Sequence, residues 1–106
     1  MKYAFQYAYD AGVHISGYIS SNIIMVEDTL AITLEEALSL YSKYKDDFLY
    51  RLKEDERPSL VIWEDVGDDE YPVYSKELLE LDWRDDVKYK NGNFYKTVEV
   101  KIEIPG

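Results

Sequence analysis

The side chains in this sequence that could carry chemistry are mainly carboxylates, and they are concentrated between Glu64 and Asp86. This stretch holds ten acidic residues against Lys76 and Arg84, which gives it a charge of −8 out of −10 for the whole chain. Tyrosine and tryptophan side chains lie among the acids. Clustering of this kind favours a surface that binds a basic partner over acidity that only keeps the protein soluble.

We therefore predict a partner-binding site within this stretch. Carboxylates attract cationic side chains and accelerate association, and rings that remain partly exposed are common anchors at interfaces. The predicted partner-binding residues are Asp65, Asp68, Asp69, Glu70, Tyr71, Tyr74, Asp82, Trp83, Asp85 and Asp86.

No catalytic residue is predicted. The single histidine, His14, has no obvious acid or nucleophile beside it in the sequence that would indicate a Ser-His-Asp arrangement. Paired carboxylates can hydrolyse glycosides at a suitable separation, but among 22 acids such pairs are inevitable and predict little. The five scattered glycines match no phosphate-binding fingerprint. The sequence favours a protein that is not an enzyme.

The loop that contains Asp65, Asp68, Asp69 and Glu70 is the candidate metal-binding segment. Their oxygen atoms suit calcium or magnesium, but the spacing departs from an EF-hand loop, which needs ligands at alternate positions and a glycine at the sixth. We expect a solvated acidic loop, with no metal site and no cofactor.

Length and composition limit the classes of protein. The 106 residues predict a single domain over 1–106, and 46% hydrophobic residues are enough for a core. No apolar run reaches the roughly 18 residues of a membrane span, and the N-terminus lacks a secretory signal, so we expect a cytoplasmic protein. A charge of −10 would repel nucleic acid and anionic membranes.

One long helix is predicted over about 33–53. Thr33 and Glu36 form a capping box at its start, and apolar residues follow in one broad stripe. Lys45 projects near the centre of that stripe, where we expect its stem to pack and its ammonium group to reach past the core. Tyr50 lies opposite the stripe and should be exposed.

The remaining elements are predicted to be mostly strands. Residues 2–9 alternate, with Tyr3, Phe5, Tyr7 and Tyr9 on one face, and should form a hairpin with the strand that follows Gly12. A further short strand is expected over 23–26 and a buried one over 59–63. Ser75 is expected to cap a short helix through Leu81. Asn91-Gly92 predicts the type I′ turn of a C-terminal hairpin.

These elements predict an α+β fold. We expect a mostly antiparallel sheet of about five strands packed on the long helix, with residues 64–86 as an acidic excursion that carries the short helix, followed by the C-terminal β-hairpin.

In size, acidity and aromatic content the chain is similar to DNA-mimic inhibitors, which include some phage anti-CRISPR and anti-restriction proteins, and to small immunity proteins that neutralise nucleases. The likeness implies an inhibitor that occupies a basic nucleic-acid-binding surface of a partner, such as a nuclease or another nucleic-acid-binding protein. No sequence motif supports this likeness, so the likeness assigns no roles to individual residues. The alternative is a non-catalytic structural or assembly module of a larger complex.

Overall fold

The computed structural model of the chain describes residues 2–12, 14–15, 18–19, 21–67 and 73–96. The fold is α+β, as the sequence predicts, with a four-stranded antiparallel sheet in the order β4-β1-β5-β6 and two separate strand pairs. The elements are β1 (Tyr3–Asp10), β2 (His14–Ile15), β3 (Tyr18–Ile19), β4 (Ile23–Ile32), α1 (Leu34–Lys53), β5 (Ser59–Asp65), β6 (Tyr74–Asp82), β7 (Val87–Lys90) and β8 (Asn93–Lys96).

Strand β1 is one of the two inner strands of the sheet, and its alternating pattern provides one face for the core. Phe5 and Tyr7 are fully buried and contact Tyr44 and Phe48 of α1. Register partners share a face of the sheet, so Leu60 and Ile62 of β5, which pair with Tyr7 and Phe5, also face the helix.

The predicted hairpin between the first two strands is wrong. β1 pairs with β4 and β5, whereas β2 and β3 pair with each other in the connection between β1 and β4. Asp10 closes that connection: its Oδ1 accepts from the backbone N–H groups of Gly12, at 2.8 Å, and Asn22, at 2.9 Å. The strand predicted over 23–26 is longer than expected, because β4 continues to Ile32.

The long helix is confirmed. Thr33 is the N-cap, its hydroxyl accepts from the Glu36 N–H at 3.1 Å, and the Glu36 carboxylate accepts from the Thr33 N–H at 3.2 Å. Tyr50 is exposed, and the Lys45 ammonium group donates to the Gly92 carbonyl at 3.3 Å. The Lys45 ammonium group thus lies beyond the apolar stripe, as expected, and binds a backbone carbonyl.

The short helix predicted from Ser75 to Leu81 is wrong, because these residues belong to β6. Leu79 and Leu81 pair with Ile62 and Leu60 of β5 and are buried on the helix-facing side. In the described residues, the acidic stretch is therefore not an excursion from the sheet. It supplies an edge strand, and the sheet has four strands where about five were expected.

The C-terminal hairpin is confirmed as β7 and β8. Asn91 and Gly92 at its turn have φ of 54° and 82°, the positive values that a type I′ turn requires. Phe94 packs edge-on against Tyr41 and Phe48 of α1. The hairpin and the helix thus contribute to one core. Within the described residues, no helix is long and apolar enough to cross a membrane.

Candidate functional site

The ten predicted partner-binding residues do not form one patch in the part of the chain that the structure describes. Asp68, Asp69, Glu70 and Tyr71 lie outside the described residues. The other six lie at opposite ends of the β5–β6 ladder: Asp65 pairs with Tyr74 at one end, and Asp82 pairs with Ser59 at the other. Six residues of strand separate these ends by roughly 20 Å.

Asp65 holds the backbone that follows β5. It is buried, and its Oδ1 accepts from the backbone N–H groups of Gly67, at 2.8 Å, and Val73, at 2.7 Å. A carboxylate that accepts from two backbone N–H groups holds both of them beside the end of the strand. The structure thus gives Asp65 a structural contact that the sequence alone did not indicate.

Tyr74 joins the two edges of the sheet. Its hydroxyl oxygen accepts from the N–H of Ala31 in β4, at 3.0 Å. Ala31 has φ of 59° and lies where the β1–β4 register shifts between Tyr3 and Phe5. A bulge leaves a backbone group without its ladder partner, and the tyrosine hydroxyl supplies one here.

Asp82 is buried and binds Arg84 through both oxygens. Its Oδ1 accepts from the Arg84 N–H and Nε, and its Oδ2 accepts from a guanidinium nitrogen at 2.8 Å. The hydrogen bond with Asp82 raises the pKa of Arg84. The Arg84 side chain is 71% exposed, and this bidentate geometry ties it to Asp82.

Among the predicted partner-binding aromatic residues that the structure describes, Trp83 is the most exposed, with 39% of its surface open to solvent. The guanidinium carbons of Arg57 and Arg84 lie 5.7 and 5.9 Å from its ring centre. Asp85 is half-buried and Asp86 is exposed nearby in sequence. The surface around Trp83 therefore carries charges of both signs.

A buried ion pair at Asp10 was not predicted. Its Oδ2 lies 3.1 Å from a guanidinium nitrogen of Arg57. Hydrogen bonds from the backbone of Asn22 and Gly12, with the charge of Arg57, lower the pKa of Asp10. Local sequence does not indicate this pair, because Arg57 is 47 positions away from Asp10 in the chain.

A second polar network ties the sheet to the helix. The Tyr7 hydroxyl donates to Asp47 at 2.7 Å, and Arg51 Nε donates to the same oxygen at 2.8 Å. Burial and the bond to Asp47 raise the pKa of Tyr7. Although burial opposes it, the bonds from Tyr7 and Arg51 lower the pKa of Asp47. The Asp47–Arg51 pair follows from their spacing on a helix, but Tyr7 does not.

The ion pairs of the described residues use all three arginines of the chain. Arg51 pairs with Asp47 and Glu56, Arg57 with Asp10, and Arg84 with Asp82. The other acids of the chain outnumber its lysines two to one. Many of them are exposed in the described residues, and these are Asp28, Glu35, Glu36, Asp46, Glu54, Asp55, Glu77 and Asp86.

One surface is not predicted by any feature of the sequence. Edge strand β4 and the first half of α1 border a cavity of about 400 Å³ that is open to solvent, lined by Thr29, Ile32, Glu35, Glu36, Ser39 and Leu40. We call this cavity, together with the edge of β4 that faces away from β1, the β4–α1 groove. Its floor includes the buried Ile32, and its rim carries two glutamates. No local sequence pattern predicts it, because it depends on how a strand and a helix pack.

The described residues contain no group of three or more histidine, aspartate or glutamate side chains that could hold a metal ion. Of the four acids considered for calcium or magnesium, only Asp65 lies in the described part of the chain. Comparison with known proteins yields no matching family model, no matching curated protein and no matching solved structure.

Proposed function

We propose that this protein is a small acidic binding domain that inhibits a basic protein partner by occupying its nucleic-acid-binding surface. The proposed function is non-catalytic, and the proposed location is the cytoplasm, where nucleases and other nucleic-acid-binding proteins would be met. The proposed partner presents lysine and arginine side chains that would otherwise contact phosphates.

The observation that carries this proposal is the distribution of charge in the folded protein. All three arginines are engaged by the chain's own carboxylates, so they do not offset the exposed acids elsewhere. The exposed set includes Asp28 on β4, Glu35 on α1 and Glu77 on β6. A rigid frame that presents excess carboxylates can attract a cationic surface and accelerate association with it.

The experiment is affinity capture from the cells that encode the protein, with washes at low and high salt. A nucleic-acid-binding protein of basic charge should be retained at low salt and lost at high salt, because salt screens exposed charges. A variant that carries Asp28→Asn, Glu35→Gln and Glu77→Gln should retain clearly less of it.

The matched control keeps the charges and changes only their reach, through Asp28→Glu, Glu35→Asp and Glu77→Asp. This variant should retain the partner nearly as well as the parent. Capture that is indifferent to salt and equal for both variants would contradict the proposal.

A structural or assembly module is the second candidate, and the exposed apolar side chains of edge strand β4 favour it. Ile23 is 64% exposed and Leu30 is 54% exposed. If assembly is the function, the charge variants should leave partner binding unchanged, whereas Ile23→Ser with Leu30→Ser should abolish it.

A further inference from the structure

We propose that the β4–α1 groove binds an extended basic segment of the partner, which adds to the sheet as a strand beside β4. The inference rests on the proposed function, because it names the surface and the kind of segment through which a basic partner would be held. Main-chain hydrogen bonds would supply affinity, and side chains at alternate positions would supply specificity.

The first support is the free edge of β4. Among the described residues, β4 is hydrogen-bonded to β1 on one side and to no strand on the other. It has ten residues against the eight of β1, and two register shifts accommodate the difference. An edge strand of this length presents a row of backbone donors and acceptors that another strand can use.

The second support is apolar surface along the same edge. Ile23, Ile24, Met25 and Leu30 are all exposed. Met25 pairs with Ala8 and Ile24 with Tyr9, so successive side chains project to opposite faces of the sheet. A strand added at this edge would cover apolar side chains on both faces.

The third support is the cavity between β4 and α1. It opens beside Thr29, which pairs with Phe5 and therefore faces the helix. Side chains of an added strand alternate between the two faces, so every second one would point toward α1. The lining atoms of Ile32 and Leu40 suit an aliphatic side chain.

The negative charge near the groove favours a basic segment over a second copy of this chain. β4 contains Glu27 and Asp28 and no base, and the cavity rim adds Glu35 and Glu36. A second copy paired antiparallel through β4 would bring its own Glu27 and Asp28 against these acids, which is unfavourable. Lysine or arginine side chains would be favoured instead. Asp28 pairs with Gln6 and so lies on the face opposite the cavity, where the basic side chains of a segment that alternates basic and aliphatic residues would project.

The test uses the full chain and a capped peptide that alternates lysine and valine, eight residues long to match β1. Hydrogen exchange at amides of β4 that point away from β1 should slow on binding, because strand addition hydrogen-bonds them. A peptide alternating glutamate and valine should give no protection. A lysine–valine peptide with N-methylated amides should give none either, since it lacks the donors.

A matched pair of serines tests the cavity. Ser39 lines it, whereas Ser42 is exposed on the same helix and does not. Ser39→Trp should fill the cavity and weaken peptide binding by about tenfold or more, whereas Ser42→Trp should change it by less than about twofold. Circular dichroism of both variants establishes that the fold is retained.

A pair of double variants tests the charge. Asp28→Asn with Glu35→Gln should flatten the salt dependence of peptide binding. Asp46→Asn with Glu54→Gln removes the same charge from exposed positions outside the groove and should keep most of that dependence.

Peptide binding without protection of β4, or equal binding by the two tryptophan variants, would overturn the inference. If the basic partner is captured but Ser39→Trp has no effect on capture, strand addition fails and the proposed function stands. If neither partner nor peptide binds, strand addition and the proposed function both fail.

Sedimentation that shows a dimer disrupted by Ser39→Trp would assign the groove to a second copy of this chain and overturn the basic occupant.

Discussion

At the scale of single residues, two carboxylates serve as partners for the hydroxyls of buried Tyr7 and half-buried Tyr44. Tyr7 donates to Asp47, and Tyr44 donates to Glu27 at 3.0 Å. A buried hydroxyl without a partner is costly, so a core rich in tyrosine needs acceptors nearby. Part of the acidity of this chain is thus structural. The sequence predicts that buried tyrosines need partners but not which acids supply them, because Tyr7 and Asp47 are distant in the chain.

The Tyr7 hydroxyl should contribute measurably to stability. Tyr7→Phe removes one hydrogen bond to a carboxylate in the core and should lower the free energy of unfolding by about 1 kcal/mol. Tyr50→Phe is the control, since Tyr50 is exposed, and should change it by less than about 0.5 kcal/mol. Urea denaturation measures both. Equal effects of the two substitutions would contradict the role given to the hydroxyl.

Stability should fall in acid because hydrogen bonds lower the pKa of Asp10, Glu27 and Asp47 in the folded protein. When the folded pKa lies below the unfolded one, stability is complete above the unfolded value and is lost as the pH falls through the folded value. The ordinary values are 3.8 for Asp and 4.5 for Glu. The loss should therefore begin near pH 4.5 and continue below 3.8.

Denaturant midpoints measured from about pH 6 to about pH 2.5 check this prediction. Asp47→Asn should show a smaller loss in acid than the parent, because one of the titrating groups is gone. Asp46→Asn, at an exposed neighbouring position, should follow the parent curve. Stability that rises toward pH 3 would contradict the pKa directions.

At the scale of elements, local signals predicted α1 and failed for β6. The capping box at Thr33 and the apolar stripe agree with each other, and the helix begins and ends where they indicate. Ser75–Leu81 contains leucine and glutamate, which favour helices locally. The same residues also place Leu79 and Leu81 at alternate positions, and pairing with Ile62 and Leu60 decides the outcome.

The two adjacent leucines of β6 distinguish the strand from the predicted helix, because a strand turns Leu78 and Leu79 to opposite faces whereas a helix can bury both. Leu79 is 2% exposed and Leu78 is 42% exposed. Leu79→Ala should lower the free energy of unfolding by about 2–5 kcal/mol, whereas Leu78→Ala should cost less than about 1 kcal/mol. Thermal or urea denaturation compares them. Similar large losses for both would favour a helix.

The candidate surfaces show the same limit of local information. The acidic segment was evident from composition, but the structure places Asp65 and Asp82 at opposite ends of one ladder. No sequence pattern predicts the β4–α1 groove, because Thr29 and Leu40 come together only when the edge strand packs on the helix. Composition is the basis for proposing a basic partner, and tertiary packing is the basis for proposing where that partner would bind.

At the scale of the whole molecule, charge is distributed unevenly. The segment 87–96, which forms the C-terminal hairpin, contains Lys88, Lys90 and Lys96 and no acid. The rest of the chain is accordingly more acidic than the net charge of −10. Such a separation would orient the molecule as it approaches a cationic surface and hold the hairpin away from it.

The most direct test is competition between this protein and DNA for the captured basic partner. A labelled duplex bound to the partner is titrated with the protein, and fluorescence anisotropy follows release of the duplex. We predict complete displacement, with a midpoint that rises in proportion to the DNA concentration and moves upward for the variant Asp28→Asn, Glu35→Gln, Glu77→Gln. A stable complex of protein, partner and DNA together would contradict the account.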